Sequence, residues 1–156
     1  MATATATVYS NRYPVPAGGP GARAFVVKAT TVAATMATND ILKILALPSK
    51  GITIYDAFVQ CADLDTNATP AVVFSLRVTN GTTTKTIISL STVGQAGGLI
   101  RPTKITSTED GVGFVTDDDN YYIDALWTTG AATAASAAFY VGLVLDGFYA
   151  AGAVTE

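Results

Sequence analysis

The chain has 156 residues and a formal net charge of −3, with 49% of its residues hydrophobic and 13% charged. That length fits a single domain burying roughly two-thirds of its unfolded surface, and a charged share about half the usual one leaves Thr, Ala, Ser, Asn and Gly to cover the outside. Nine Lys and Arg without a cluster lack the basic stripe of a nucleic-acid binder, and the absence of histidine removes the commonest catalytic base and zinc ligand.

Residues 1–22 form an arm. An alternating Ala-Thr segment leads to Tyr9, Arg12 and Tyr13, then to Pro14, Pro16, Gly18, Gly19, Pro20 and Gly21. That density of Pro and Gly opposes regular structure, and chain ends are ordinarily loose. Disordered tails tend to lack aromatics, however. Tyr9 and Tyr13, with Arg12 and Arg23, therefore mark an extended strap expected to order on a neighbouring subunit. The opening residues lack a basic start followed by an apolar stretch, so no secretory signal is expected. Residues 23–156 are expected to form one β-sandwich domain.

Arg23 to Thr31 is the first strand, with Phe25, Val27 and Ala29 on one face. Asn39 to Ala46 follows. Its Ile41, Leu42, Ile44 and Leu45 would also suit a helical turn, but Pro48 and Gly51 limit its length and favour a strand. Gly51 to Thr79 reads as two strands joined at an Asx-rich bend. Ile52, Ile54 and Phe58 alternate with Thr53, Tyr55 and Val59. Asp63-Leu64-Asp65-Thr66-Asn67 then breaks the pattern with turn-forming side chains. After Pro70, which costs no ladder bond at a strand start, Val72, Phe74, Leu76 and Val78 restore the alternation. Asn80-Gly81 is the signature of a two-residue type I′ turn. It returns the chain through Thr82 to Leu90, with Thr84, Thr86 and Ile88 opposite Lys85, Ile87 and Ser89.

Ser91 to Gly98 holds the one short helix expected, capped by Ser91 or Thr92 and stopped at Gly97. Leu99 to Ile105 and Gly111 to Val115 are short strand pieces, and Asp117-Asp118-Asp119-Asn120 is a turn. Tyr121, Ile123, Ala125 and Trp127 then share a face, opposite Tyr122, Asp124 and Leu126. Ala137 to Tyr149 is apolar on both faces, which places it centrally in a sheet. The most apolar run, Ala134 to Leu145, is about half the roughly 20 residues a membrane helix needs, so no membrane span is expected. The fold class is all-β. Strands of this number pack as two antiparallel sheets or close as a barrel, and both solutions remove exposed edges. A jelly-roll-like antiparallel sandwich is expected, with an immunoglobulin-like sandwich as the alternative.

Candidate chemistry is sparse. The single Cys61 makes neither an internal disulfide nor a thiolate metal cluster, and its strand position suits a buried thiol. No phosphate-binding glycine motif occurs, and Gly18-Gly19 and Gly97-Gly98 read as bends. Asp63, Asp65 and Asn67 have the spacing that begins a calcium loop. Ala68 stands where the turn glycine belongs, though, and Phe74 where the bidentate Glu belongs. Asp117 and Asp119 could offer oxygens to a hard cation from the second acidic turn. Structural turns are the preferred reading of both, with no metal or cofactor expected. Trp127, Tyr121 and Tyr122 could stack a ligand, but aromatics at alternating strand positions belong more often to the core. No enzymatic activity is expected.

The Pro/Gly arm, the bend Asp63-Leu64-Asp65-Thr66-Asn67-Ala68-Thr69-Pro70, the segment Ser91-Thr92-Val93-Gly94-Gln95-Ala96-Gly97-Gly98 and the late aromatic strand form one pattern. Over roughly residues 23 to 149 it resembles the small cement, or head decoration, proteins of tailed bacteriophages. The resemblance implies a jelly roll that assembles as a homotrimer on the outer surface of the capsid. There it would clamp adjoining major capsid protein subunits against internal DNA pressure. The implied partners are major capsid protein and further copies of the chain, with no nucleic acid and no membrane. The resemblance brings no catalytic residues. The alternatives are a tail or fibre component and a host-surface, glycan-binding module with the same fold.

Overall fold

The computed structural model describes residues 1, 3–5, 23–47, 50–102 and 109–146. Their strands are β1 (Thr3–Thr5), β2 (Arg23–Thr30), β3 (Ile41–Ala46), β4 (Thr53–Cys61), β5 (Val73–Thr79), β6 (Thr84–Ser91), β7 (Gly98–Ile100), β8 (Tyr122–Thr129) and β9 (Ala138–Asp146). They form a five-stranded sheet ordered β1-β3-β8-β5-β6 and a four-stranded sheet ordered β2-β9-β4-β7. β1 lies parallel to β3, and all other pairs are antiparallel.

The pairs β2–β9, β3–β8, β4–β7 and β5–β6 are successive rungs of one long hairpin that closes between β5 and β6. Winding that hairpin so that alternate rungs fall in opposite sheets gives the jelly-roll order. It also places β9 between β2 and β4, the central position expected from its two apolar faces.

Period-two alternation supplies the core. Val72, Phe74, Leu76 and Val78 run in and beside β5, and Tyr121, Ile123, Ala125 and Trp127 do so at β8. They meet Phe139, Val141, Leu143 and Leu145 of β9, and all twelve are at most 1% exposed. Phe74, Trp127 and Phe139 pack edge to face with ring centroids 5.3 to 6.0 Å apart, joining the two sheets at their centre.

The strands depart from simple alternation at bulges. The β4–β9 register shifts between Ile54 and Asp56. Beyond this bulge Ala57, Val59 and Cys61 turn inward, while Phe58 turns out across Gly142. The expected grouping of Phe58 with Ile52 and Ile54 is therefore wrong, because one inserted residue reverses the facing of everything after it. β6 carries two such shifts, so Ile87 and Ile88 are both buried and Leu90 adopts a φ of +46°.

The Asn80-Gly81 turn also differs from expectation. Thr79 pairs with Thr84, leaving a four-residue loop in which Gly81 takes a φ of +92°. Asn80 Oδ1 accepts from the N–H groups of Thr82 and Thr83, at 3.0 and 2.7 Å. The side chain of Asn80 thus closes a longer loop instead of forming a two-residue turn.

A single 3-10 turn, Val93–Gln95, stands where the short helix was expected, and a second spans Ala33–Thr35. Gly111 to Val115 is not a regular strand. It laces the two sheets through Gly111 N–H to Thr86 and Gly113 N–H to Ile54, with an isolated bridge from Val115 to Thr53. Residues 103–108 and 147–149, into which two expected strands would continue, lie outside the described residues. Among the described residues, no helix is long and apolar enough to cross a membrane.

Candidate interaction surface

The winding gathers the connections at two ends. Loops 31–40, 62–72, 92–97 and 130–137 meet at one end, where Thr30 pairs with Ala138, Cys61 with Gly98 and Val73 with Thr129. Residues 47, 50–52, 80–83 and 115–121 meet at the other, where β2 begins and β9 finishes.

Asp65 organises the first end. Its carboxylate accepts four backbone N–H groups: Ala71 at 2.7 Å, Val72 at 3.2 Å, Ala132 at 2.9 Å and Thr133 at 2.7 Å. These donors come from two loops separated by some sixty residues, so one side chain ties the loop from β4 to β5 onto the loop from β8 to β9. Burial alone would raise the Asp65 carboxyl, but the four donations outweigh it and hold it well below the usual carboxylate range. Leu64, fully buried beside it, plugs the core from this end against Gly94 and Val72.

Asp63, Asp65 and Asn67 do not converge. Asp63 Oδ1 accepts from Asp65 N–H at 2.9 Å, and Asn67 Oδ1 accepts from Thr69 N–H at 2.9 Å. Asn67 Nδ2 donates across to Thr133 Oγ1 at 3.0 Å. At the opposite end Asp117 Oδ1 accepts from Tyr121 Oη at 2.9 Å, Asp118 Oδ1 from Asn120 Nδ2 at 2.9 Å and Asp119 Oδ1 from Lys50 N–H at 2.7 Å. Asp63, Asp117 and Asp118 serve their own turns, whereas Asp65 and Asp119 bind backbone of a second loop. Among the described residues, no three His, Cys, Asp or Glu side chains form a ligand set.

The two ends differ in charge. The first presents one exposed carboxylate, Asp63, among the side chains of its loops, whereas Asp40 and Asp65 are buried. Glu109 reaches toward the first end to accept from Ser89 N–H, while the second end carries Lys50, Asp110, Asp117, Asp118 and Asp119. There Asp110 accepts from Lys85 Nζ at 2.7 Å and from Thr86 N–H at 3.1 Å.

The outer faces of the sheets also differ. On the four-stranded sheet, Val26, Gly142 and Phe58 lie in one row, and Tyr140, Gln60 and Leu99 in the next. Val26 and Leu99 are 58% and 56% exposed on the two edge strands, but Lys28 stands in the Tyr140 row with its Nζ 5.8 Å from the centre of that ring, and Arg101, paired with Asp56, lies over Phe58. On the five-stranded sheet the central row is Lys43, Asp124 and Arg77. Arg77 holds Asp124 through Nε and Nη2 at 2.9 and 2.8 Å, and Lys43 Nζ sits 4.3 Å from the centre of the Tyr122 ring. Burial raises the Asp124 carboxyl above its ordinary range, with Arg77 only partly offsetting it. A groove of about 530 Å3 runs along this face past Thr38, Arg77 and Tyr122. The Arg77 guanidinium is already committed to Asp124.

Trp127 and Tyr121 are 1% exposed and belong to the core, so neither can stack a ligand. Cys61 is buried, and desolvation followed by the nearby Asp63 charge pushes its thiol up to about 11, which makes it a poor nucleophile. Of the arm residues marked in the sequence, Tyr9, Arg12 and Tyr13 lie outside the described residues. Arg23 is described only as the first backbone position of β2. The concentration of neutral residues at one end was missed by sequence reasoning, because it arises from four segments that only the winding brings together.

No protein-family model and no curated protein matches the chain. Among solved structures, a chain in the capsid of Ralstonia phage GP4 superposes with a TM-score of 0.74 at 22% identity, covering 93% of this chain and 97% of that one. A chain in the capsid asymmetric unit of cyanophage Pam1 superposes with a TM-score of 0.63 at 23% identity, covering 86% and 92%. At these identities the likeness is one of fold.

Proposed function

We propose that the chain is a structural, non-enzymatic virion protein, a phage capsid cement protein. It binds the outer capsid surface as an oligomer, a homotrimer, and stabilises contacts between major capsid protein subunits. The observation that carries this reading is the likeness, along nearly the full length of both chains, to a subunit of the Ralstonia phage GP4 capsid. The match is to a whole subunit and not to one domain of a longer chain.

A jelly roll alone does not give a function, since lectins and cupins share the architecture. The composition narrows the choice. A histidine-free chain lacks the commonest metal ligand, and of the three aromatics considered for a glycan platform Trp127 and Tyr121 are inside the core while Lys43 sits over the half-buried Tyr122. What the surface offers is area: exposed Val26 and Leu99 on the edge strands of one sheet, and an end whose exposed side chains are mostly Ala and Thr, the material of protein–protein contact. Within the arm of residues 1–22, Thr3–Thr5 pairs with the chain's own β3, and the remainder, with Tyr9, Arg12, Tyr13 and the adjoining Arg23, straps a neighbouring subunit.

Reconstitution tests the reading. Heads assembled without the protein should bind it saturably and then withstand higher temperature before releasing DNA. Deletion of residues 1–22 should lower occupancy. Purified protein that ignores heads and binds tails or cell surfaces would favour the tail or host-binding alternatives.

A further inference from the structure

We propose that Asn80 is a latent deamidation site and that the hydroxyl of Thr79 keeps it closed. Asn80 is the one asparagine in the chain followed by glycine. In that dipeptide no Cβ shields the glycine nitrogen from the preceding side-chain amide. In the cyclising step the Gly81 nitrogen gives up its proton and bonds to Asn80 Cγ. The Cγ–Nδ2 bond breaks, and ammonia leaves carrying that proton. Water then opens the five-membered imide at either carbonyl, which leaves aspartate or isoaspartate at position 80. Water is the sole co-reactant, and the half-buried Asn80 and the exposed Gly81 both stand within its reach.

The loop opposes this step at the nucleophile. Gly81 N–H donates to Thr79 Oγ1 at 3.0 Å. Thr79 is buried, and its Oγ1 also lies 3.0 Å from Thr83 O and 2.7 Å from Thr84 Oγ1. A hydroxyl has one proton and two lone pairs. Donating to Thr83 O while accepting from Gly81 N–H and Thr84 Oγ1 uses all three, so this oxygen has no capacity left to carry the amide proton away. It holds the N–H without acting as its base, and the contact must break before the nitrogen can attack.

The electrophile is treated differently. Asn80 Oδ1 accepts from Thr82 and Thr83 N–H at 3.0 and 2.7 Å, and Asn80 N–H donates to Thr83 O at 3.2 Å. Those two donors close the loop, yet they would equally support the oxyanion of the cyclic intermediate. The carbonyl is thus polarised for attack, and the contact on the Gly81 nitrogen decides whether attack occurs. Its consequence is irreversible. Asn80 shares a hollow of about 330 Å3 with Lys50, Asp117, Asp118 and Asp119. Aspartate at position 80 adds a carboxylate to it. Isoaspartate also routes the main chain through Cγ, so the side-chain oxygen that closed the loop is lost. Each escape of the hairpin tip from Thr79 is an opportunity to fix a negative charge there.

Mass-spectrometric peptide mapping of the full chain at mildly alkaline pH tests this, reading the one-dalton gain at Asn80. The folded chain should deamidate there at least ~10-fold more slowly than the same chain in urea, because the tip must open first. Thr79→Val removes the acceptor and should speed Asn80 by ~5-fold or more, the weight of one hydrogen bond. Thr79→Ser restores the hydroxyl and should return the wild-type rate. Leu64→Ala loosens the opposite end and should leave Asn80 within ~2-fold. Circular dichroism and melting show that each variant folds. Should Thr79→Val fail to fold, the Gly81 amide of the wild type carries the test. Its hydrogen exchange should be slow, and urea below the melting transition should speed exchange and deamidation in proportion. Four results would overturn the inference: a folded wild type that deamidates as fast as in urea, a folded Thr79→Val at the wild-type rate, equal acceleration by Leu64→Ala, or a freely exchanging Gly81 amide beside an intact Asn80. None of these readouts involves heads, so the virion reading stands or falls separately.

Discussion

Asp65 shows what a single carboxylate can do inside a protein. It begins what looks in sequence like a calcium loop, yet its oxygens are occupied by four backbone N–H groups. The spacing of Asp63, Asp65 and Asn67 was legible; its purpose was not, because two of the four donors, Ala132 and Thr133, lie in a distant loop. Asp65→Ala should lower the melting temperature by on the order of 10 °C, since it leaves several buried donors unpaired. Asp65→Asn gives a pH test. The folded carboxyl is held below its ordinary value, so its stabilisation is present above the unfolded pKa of about 4 and lost as pH falls toward the folded value. Asp110, likewise held low through Lys85 and Thr86 against its burial, contributes in the same direction. Asp124 has the opposite sign. Its folded pKa is raised, so it favours the fold when protonated, and that contribution is lost as pH rises through the folded value. In melting curves recorded from pH 7 downward, the gap between wild type and Asp65→Asn should narrow below about pH 4. A gap that stayed constant would show that the charge of Asp65 is not what binds the two loops.

At the scale of elements, β5 and β8 were readable because alternate residues of each form a fully buried row, and β9 because two apolar faces mark a central strand. β4 was not. A bulge adds one residue without altering composition, so nothing before Asp56 announces that Phe58 will face outward. The Asn80-Gly81 loop was misjudged for a related reason. Thr79 Oγ1 contacts Thr84 Oγ1 at 2.7 Å and holds the strands two residues apart from the expected closure. Phe58 and Gly142 offer a test of the bulge. They are direct cross-strand partners, and a Cβ at position 142 would run into the Phe58 ring. Gly142→Ala should cost ~1–3 kcal/mol by overpacking and much less in a Phe58→Ala background, as a double-mutant cycle on denaturant midpoints would read. Equal costs in both backgrounds would place the ring elsewhere. Leu64→Ala should cost ~2–5 kcal/mol, because a fully buried plug leaves a cavity that the tied loops cannot collapse into.

For the whole molecule, the low charge was visible in the composition, and it suggested a surface spent against neighbours. Its distribution was not visible. The winding of the hairpin sends alternate connections to opposite ends, and that step alone separates the Ala- and Thr-rich loops from the acidic ones. The architecture that follows is polar in the geometric sense: loops rich in Ala and Thr at one end, and Lys50, Asp117, Asp118 and Asp119 at the end where β2 begins and β9 finishes. Such a subunit would work by buried area, with shape and preorganisation setting affinity.

The central claim is that this polypeptide acts as a packed outer component of a phage head. A side-chain-resolution cryo-EM map of the virion tests it most directly. The expected result is density for the jelly roll on the outside of the shell, three copies together, bridging adjoining capsid subunits. Density confined to the tail or fibres, or a head that lacks the chain altogether, would contradict it.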